Sequence, residues 1–179
     1  GAPLAIEGLL AFFLESTFLG LWIFGWDRLP KKVHLATIWT AASGTLLSAY
    51  FILAANSFMQ NPVGYEYNPA TGRAELTDFW AMLTNKVVLV TFPHTIAAAF
   101  LTAGGLMLGV AMWNLRRNPS KDGEGFRAAA QLGAWVVVAA AVVVALTGDQ
   151  QAKVMTEVQP MKMAAAEAQY DTKDSASFS

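Results

Sequence analysis

Four long apolar segments constrain the fold of this chain more than any other feature. They cover residues 3–26, 34–56, 88–113 and 127–147, and each is bounded by polar or turn-forming residues. A helix needs about 20 predominantly apolar residues to cross the hydrocarbon core of a bilayer, and an open strand would leave its backbone groups unpaired in lipid. The sequence therefore predicts an all-α fold, a polytopic membrane helical bundle with four transmembrane helices.

The composition supports a membrane protein and excludes several kinds of site. Hydrophobic residues make up 55% of the chain and charged residues only 14%, whereas an ordinary soluble domain has about 25% charged residues. The formal net charge of −1 gives no reason to expect a nucleic-acid partner. Because the chain has no cysteine, disulfides, thiolate metal sites, iron–sulfur clusters and cysteine nucleophiles are excluded.

The distribution of Lys and Arg predicts the orientation of the helices. Two short connections, 27–33 and 114–127, carry seven of the 12 basic residues. These seven are Arg28, Lys31, Lys32, Arg116, Arg117, Lys121 and Arg127. Basic residues favour the cytoplasmic side, so both short connections are predicted to be cytoplasmic. The long connection 57–87 and the tail 149–179 are then predicted to lie outside.

The long connection carries the signals of a small structural segment. Asn68 to Gly72 reads NPATG, which is a turn signal. Asp78 precedes FWAML and predicts the capped start of a short helix that lies on the membrane surface.

Two carboxylates, Glu7 and Glu15, lie inside the first apolar segment. A carboxylate there costs about 2.5–3.5 kcal/mol on insertion scales, so an ionisable residue within a membrane indicates a functional site. The predicted orientation places Glu7 near the outer leaflet and Glu15 near the midplane. A uniform α-helix would separate them by about 12 Å along its axis and about 80° around it. Either carboxylate could instead be hydrated at an interface, but the pattern favours a protein that moves protons, electrons or ions.

His94 is the candidate metal or haem ligand, because a neutral imidazole binds iron well and His94 lies in the outer half of the third segment. A plain hydrogen-bonding role is the alternative. His34 begins the second segment beside Lys31 and Lys32 and is interpreted as an interfacial surface residue. The two histidines would lie about 20–30 Å apart by helix rise, so a haem held by both is not predicted.

Small polar residues on the second segment have two interpretations. Ser48 and Asn56 could line a hydrated path beside Glu15, or their side chains could serve helix packing, as is common for small polar residues in membranes. Ser43 and Gly44 are interpreted as packing residues. On the third segment, Gly105 and Gly109 form a small-xxx-small pattern that predicts a packing face.

The tail has a break at Gln159-Pro160, and residues 161–170 then have high helical propensity. Its methionines suit either the underside of a solvated helix or an adaptable contact to a flexible, lipid-like substrate.

Four stretches give the chain a recognisable pattern. They are GAPLAIEGLLAFFLESTFLGLWIFGWDRL, LSAYFILAANSFMQNPVG, TFPHTIAAAFLTAG and GDQQAKVMTEVQPMKMAAAEA. Together they resemble subunit I of the cytochrome bd-type quinol oxidases, in order and over nearly the whole chain. The resemblance implies a terminal respiratory oxidase of the bacterial cytoplasmic (inner) membrane. Such an enzyme oxidises quinol on the outer face and reduces dioxygen to water with protons taken from inside. It also implies two b-type haems, one d-type haem, a second large membrane subunit and room for small accessory subunits.

The resemblance assigns roles to individual residues. His94 would be an axial ligand of the low-spin b-type haem. Glu7 would lie at the dioxygen-reducing site as a ligand or close neighbour of the d-type haem iron. Glu15 would belong to the proton route and to the surroundings of the high-spin haems, with Ser48 and Asn56 as helpers.

The tail 149–179 resembles the start of the family's quinol-binding loop, and residues 1–148 would form the transmembrane portion. Lys162 and Glu167 match the residues associated with quinol oxidation. The chain is expected to be a piece that lacks an upstream histidine and downstream methionine and glutamate ligands, and to bind little or no haem alone. A proton- or cation-coupled transporter using Glu7 and Glu15, and a purely structural membrane subunit, are the alternatives.

Overall fold

The computed structural model describes residues 2–117 and 123–171. Within them, four helices are long and apolar enough to cross a membrane: Pro3–Phe24, Lys31–Gln60, Phe79–Arg117 and Gly123–Val158. The predicted fold class, a polytopic membrane helical bundle, is confirmed. Residues 118–122 of the predicted cytoplasmic connection and residues 172–179 of the predicted outer tail lie outside the described residues.

The first spanning helix contains a change of helix type. It begins with α1 (Ala2–Ile6), continues through a π-helical turn (Glu7–Ala11) and ends with α2 (Phe12–Phe24). In the π turn the N–H of Phe12 donates to the carbonyl of Glu7, five residues earlier. Isolated π turns within α-helices occur frequently at functional sites.

A tight turn reverses the chain after the first helix. The N–H groups of Arg28 and Leu29 both donate to the carbonyl of Gly25, at 3.1 and 2.9 Å. Pro30 adopts extended backbone and precedes α3 (Lys31–Gln60), where its fixed φ suits the start of a helix. The second spanning helix therefore begins three residues before the predicted segment, among basic residues.

Close backbone contact joins α3 to the first helix in an antiparallel arrangement. A Cβ atom added at Gly44 would lie 3.0 Å from the backbone nitrogen of Glu15 and 3.2 Å from the carbonyl oxygen of Ala11. Ala11 and Ala41 are buried nearby on the two helices. Small residues allow helices in membranes to approach closely, so the predicted packing role of Gly44 is confirmed.

The connection between α3 and the third spanning helix contains a β-hairpin that was not predicted. Strands β1 (Tyr65–Asn68) and β2 (Arg73–Leu76) pair antiparallel, with Tyr65 opposite Leu76 and Asn68 opposite Arg73. The predicted turn at residues 68–72 closes this hairpin, with Gly72 at a φ of 63°. The capped short helix is confirmed as α4 (Phe79–Leu83), whose Ala81 N–H donates to the Asp78 carboxylate at 3.0 Å.

A buried asparagine links the end of α3 to the start of α5 (Lys86–Arg117). Asn85 is 2% exposed, and its amide donates to the carbonyl oxygens of Asn61 at 2.7 Å and Ser57 at 3.3 Å. Its Oδ1 accepts from the N–H of Val87 at 3.0 Å and from the amide of Asn61 at 3.3 Å. One side chain thereby satisfies backbone groups at two helix ends.

The described residues divide after Phe92, within α5, into two compact units. In the second unit α5 continues from Pro93 and packs against α6 (Gly123–Val158). A Cβ at Gly133 would lie 2.9 Å from the carbonyl oxygen of Gly104. The helices therefore cross at this pair of glycines.

The predicted pair Gly105 and Gly109 makes no packing contact among the described residues, whereas the neighbouring Gly104 does. A Cβ added at Gly105 or Gly109 would meet no atom within 4 Å among the described residues. Gly104 provides the contact with α6 instead, because the small-xxx-small pattern fixes a spacing along the helix but not which face meets the neighbour.

The fourth spanning helix is longer than predicted. α6 continues through residues 148 and 149 to Val158, so the predicted domain boundary lies inside a helix. The predicted break at Gln159-Pro160 is confirmed, since α7 (Pro160–Ala166) begins there. α7 ends where Ala168 adopts a φ of 54° and the N–H of Gln169 bonds the carbonyl of Ala164 at 2.8 Å.

Most of the apolar surface of the spanning helices faces outward from the described chain. Only 6% of the most apolar stretch of the first helix is buried, and 17% of that of each of the other three. The remaining surface requires lipid or further protein to cover it.

Candidate functional site

The first carboxylate of the membrane segment is held by a serine from the second spanning helix. The Ser48 hydroxyl donates to Glu7 Oε1 at 2.7 Å, and both side chains are partly buried. The contact follows from the helix packing. Gly44 lies against Ala11 and Glu15, so Ser48, one turn further along the antiparallel helix, reaches Glu7.

This arrangement differs from the predicted placement of Ser48 beside Glu15. Ser48 pairs with Glu7, whereas the backbone of Glu15 lies at the close contact with Gly44, one turn of α3 before Ser48. Among the described residues no hydrogen bond is made to the Glu15 carboxylate, which is partly buried. The structure therefore brings Ser48 to the first carboxylate and not to the second.

Asn56 is also not placed beside Glu15. Its exposed side chain accepts a 2.6 Å hydrogen bond from Gln60, one turn later on the same helix. Asn56 lies 12 residues after Gly44, which corresponds to about 18 Å along α3 and away from Glu15.

The π turn changes the angular relation between the two carboxylates. A turn closed from residue i to i+5 holds one more residue than an α-helical turn. The eight-residue interval from Glu7 to Glu15 therefore behaves as about seven residues of α-helix, a spacing that returns to the same helix face. An interval of this length would place the two carboxylates closer to a single line along the helix than the about 80° expected of a regular α-helix.

His94 is fixed between two helices of the second unit. Its Nδ1 lies 3.1 Å from the hydroxyl oxygen of Thr147 on α6, and the ring is partly buried. A Cβ added at Gly148 would lie 3.3 Å from Cε1 of the ring. Among the described residues Nε2 makes no hydrogen bond. One ring nitrogen is thus engaged by the protein and the other is available, which fits the chemistry of an axial metal ligand.

The described residues contain no group of three or more His, Cys, Asp or Glu side chains that could hold a metal ion. An iron at His94 would therefore need most of its ligands from elsewhere. A haem meets this condition, because its macrocycle supplies four ligands and the protein only one or two.

His34 was predicted to be an interfacial surface residue, and the structure gives it a more specific place. Its Nε2 lies 2.8 Å from the carbonyl oxygen of Trp22, in the last turn of the first helix. The ring stacks on Trp22 with an interplanar angle of 12° and lies 4.7 Å from the ring of Trp26. His34 therefore caps an orphan carbonyl at a helix end. The i, i+4 spacing of the two tryptophans before the turn was the sequence signal for this cluster.

The predicted quinol residues lie on and next to α7. Lys162 is exposed within this helix. Glu167 follows its last residue and is partly buried, and its N–H donates to the carbonyl of Met163 at 3.0 Å. Thr147, by contrast, was not singled out from the sequence, since a hydroxyl inside an apolar span usually bonds its own helix.

Comparison with known proteins identifies the family. Residues 1–179 match the model of the family described as cytochrome bd terminal oxidase subunit I. The chain is 50% identical over 167 residues to cytochrome bd ubiquinol oxidase subunit 1 of Bacillus subtilis (strain 168), which covers 93% of this chain and 35% of that protein. It is 40% identical over 173 residues to cytochrome bd-II ubiquinol oxidase subunit 1 of Escherichia coli (strain K12), covering 97% of this chain and 33% of that protein.

A solved structure shares the fold. The bd oxidase from Geobacillus thermodenitrificans matches with a TM-score of 0.80 and 32% identity, over 94% of this chain and 38% of that chain. The chain thus spans about a third of the length of the curated relatives it matches. Because the family model matches the whole sequence, the chain belongs to the cytochrome bd terminal oxidase subunit I family.

Proposed function

We propose that this chain is part of the haem-bearing subunit of a terminal respiratory oxidase. The enzyme would oxidise quinol on the outer face of the bacterial cytoplasmic membrane and reduce dioxygen to water with protons from inside. Family membership supports this proposal, and the relatives from B. subtilis and E. coli are named ubiquinol oxidases. The observation that carries it is the Glu7 carboxylate held by Ser48 within a membrane-spanning helix.

Glu7, Ser48 and Glu15 would form the proton route. Carboxylates in a membrane interior occur chiefly where protons or ions are moved. Glu15 and Glu7 follow one another along the first helix, and the Ser48 hydroxyl can accept a proton and release one within a hydrogen-bonded chain. Asn56, bonded to Gln60, stays in the proposed route as its outermost polar residue.

His94 would hold the low-spin b-type haem, and Glu7 would adjoin the d-type haem as a ligand or close neighbour. In the full subunit we propose two b-type haems and one d-type haem. When bound, the haems carry electrons from quinol to dioxygen. The protein's part at His94 is to present one imidazole nitrogen in a fixed orientation, which the contacts with Thr147 and Gly148 support.

Lys162 and Glu167 would act on quinol. A carboxylate can accept the proton that a quinol hydroxyl releases, and an ammonium group can orient the quinol oxygen. Met161 on the same helix is 82% exposed. A flexible thioether side chain suits contact with an apolar quinone tail.

The proposed partners follow from the family and from the exposed spans. A second large membrane subunit and small accessory subunits would cover part of the outward-facing apolar surface, and lipid would cover the rest. Dioxygen and quinol are the proposed substrates.

A reduced-minus-oxidised optical spectrum of the purified oxidase that contains this subunit tests the proposal. Bands of b- and d-type haem, together with quinol-dependent dioxygen uptake, are expected. Their absence, with cation- or proton-coupled transport that depends on Glu7 and Glu15, would establish the transporter alternative. Full turnover in a Glu15→Ala variant would contradict the proposed proton route and support a structural role.

A further inference from the structure

The hydroxyl group of Thr147 makes three hydrogen-bond contacts whose directions can be assigned, of which the longest is to the carbonyl oxygen of Val144 on its own helix, at 3.4 Å. Its oxygen lies 2.6 Å from the carbonyl oxygen of Val143 on the same helix and 3.1 Å from Nδ1 of His94. A carbonyl oxygen can only accept, so the single hydroxyl hydrogen of Thr147 is used toward Val143. The hydrogen between Thr147 and His94 must therefore come from the imidazole ring.

This assignment fixes the tautomer of His94. A neutral imidazole has one N–H group, and here that group is Nδ1–H, donating to Thr147. Nε2 then carries the free lone pair, which is the form in which a histidine binds a metal. A hydrogen bond at one ring nitrogen commonly sets which nitrogen faces the metal and how the ring is oriented.

The next residue on α6 restricts the position of the ring. A Cβ added at Gly148 would lie 3.3 Å from Cε1 and 3.6 Å from Nδ1 of His94, so the imidazole rests against bare backbone. Glycine inside a helix costs about 0.5–1 kcal/mol relative to alanine. The close approach of the His94 ring explains why a residue without a side chain occupies position 148.

We infer that Thr147 is a positioning residue that sets the tautomer and ring plane of His94, with Gly148 providing the space for the ring. The inference rests on the proposed function, in which His94 is an axial ligand of a low-spin b-type haem. An acceptor at Nδ1–H makes the imidazole a stronger electron donor, which stabilises oxidised iron. Thr147 therefore lowers the midpoint potential of that haem.

The test uses the assembled oxidase carrying Thr147→Val, which keeps the side-chain shape and removes the hydroxyl. The low-spin haem should be retained with a raised potential. At the wild-type midpoint its ratio of reduced to oxidised form should rise severalfold, and a tenfold rise corresponds to about 59 mV for one electron. The low-spin ferric g-values in electron paramagnetic resonance should also move, because they report ligand orientation. Thr147→Ser should restore both readings.

Thr102→Val is the matched control. Thr102 lies on α5, and among the described residues its hydroxyl bonds only the carbonyl of Ala98 on its own helix, at 3.0 Å. In Thr102→Val the midpoint potential and the g-values of the low-spin haem should equal those of the wild-type oxidase. Unchanged values in Thr147→Val would overturn the inference. If Thr147→Val does not assemble, Gly148→Ala provides the test. The added methyl group should displace the His94 ring and so move the g-values of the low-spin haem. Unchanged g-values would again overturn the inference.

A separate variant distinguishes failure of the proposed function of His94 from failure of the inference about Thr147. If His94→Gln retains the low-spin b-type haem, His94 is not its ligand and the proposed role of His94 is wrong. Loss of that haem in His94→Gln, together with an unchanged potential in Thr147→Val, would reject the role of Thr147 alone.

Discussion

Ser48 donates a 2.7 Å hydrogen bond to the carboxylate of Glu7 across the contact between the first two spanning helices. The partners are 41 residues apart in sequence, so the bond depends on the antiparallel packing of the two helices. It fixes one carboxylate oxygen and leaves the other for a proton or a ligand. The following predictions test this pair and the contacts that hold the rest of the chain.

Replacement of Ser48 by alanine should slow turnover. The variant removes the hydrogen-bond donor to the Glu7 carboxylate. The free-energy cost of leaving a buried polar group without its partner is about 1–3 kcal/mol. Quinol-dependent dioxygen uptake should therefore fall about fivefold or more. Ser48→Thr keeps the hydroxyl and should retain most of the activity. Full turnover in the alanine variant would show that Ser48 has no part in the route.

Enlargement of Gly44 should destabilise the contact between the first helix and α3. A Cβ there would lie 3.0 Å from the Glu15 nitrogen and 3.2 Å from the Ala11 carbonyl oxygen, both of which belong to backbone. Gly44→Val should cost about 1–3 kcal/mol by overpacking and lower the thermal unfolding temperature of the oxidase in detergent. Gly20→Ala is the control, because a Cβ there meets no atom within 4 Å in the described part of the chain. Equal unfolding temperatures for Gly44→Val and the wild type would contradict the packing.

Loss of the Asn85 side chain should destabilise the junction of α3 and α5. Asn85→Ala removes the side-chain partner of the Asn61 carbonyl oxygen and of the Val87 N–H, while the Ser57 carbonyl oxygen keeps the Asn61 N–H. Each buried group left unpaired costs about 1–3 kcal/mol, so thermal unfolding should occur at a clearly lower temperature. Asn114→Ala removes a bond to the Val110 carbonyl on its own helix, the one bond of this side chain within the described part of the chain, and should change stability by about 0.5 kcal/mol or less. If Asn85→Ala and Asn114→Ala lowered the unfolding temperature by similar amounts, the proposed role of Asn85 in joining α3 to α5 would be contradicted.

The two histidines should respond differently to the same change. His34→Gln should weaken the cap on Trp22 by about 1 kcal/mol and leave the haem spectrum intact. His94→Gln should remove the low-spin b-type signal, because an amide is a poor substitute for an axial imidazole. Optical spectra of both purified variants provide the measurement. A haem loss in the His34 variant comparable with that in the His94 variant would contradict the assignment.

The spans and caps could be predicted because their signals are local. Run length and flanking charge predicted the four spanning helices, and Asp78 before an apolar pentapeptide predicted the start of α4. The hairpin was missed although YEYN and RAEL alternate, because two mostly exposed strands of four residues each bury no apolar face that would distinguish them from a loop.

The details of the site depend on packing, which a single sequence does not encode locally. Glu7 and His94 were recognisable as unusual residue types in apolar segments. Their partners, Ser48 and Thr147, are ordinary hydroxyl residues whose roles arise only once two helices are in register. The capping role of His34 likewise requires the chain reversal that brings it to Trp22.

The π turn at Glu7–Ala11 gives the first helix a surplus residue. Deleting one residue there would let the segment relax into a regular α-helix that still spans the same hydrophobic thickness. Because seven residues of α-helix turn through nearly the same angle as the eight now present between Glu7 and Glu15, the part of the helix before the deletion would keep its rotation and the Glu7 carboxylate would still face Ser48. The same deletion in the regular α2, which holds no surplus residue, would instead turn the preceding part of the helix by about 100° and carry the Glu7 carboxylate off Ser48.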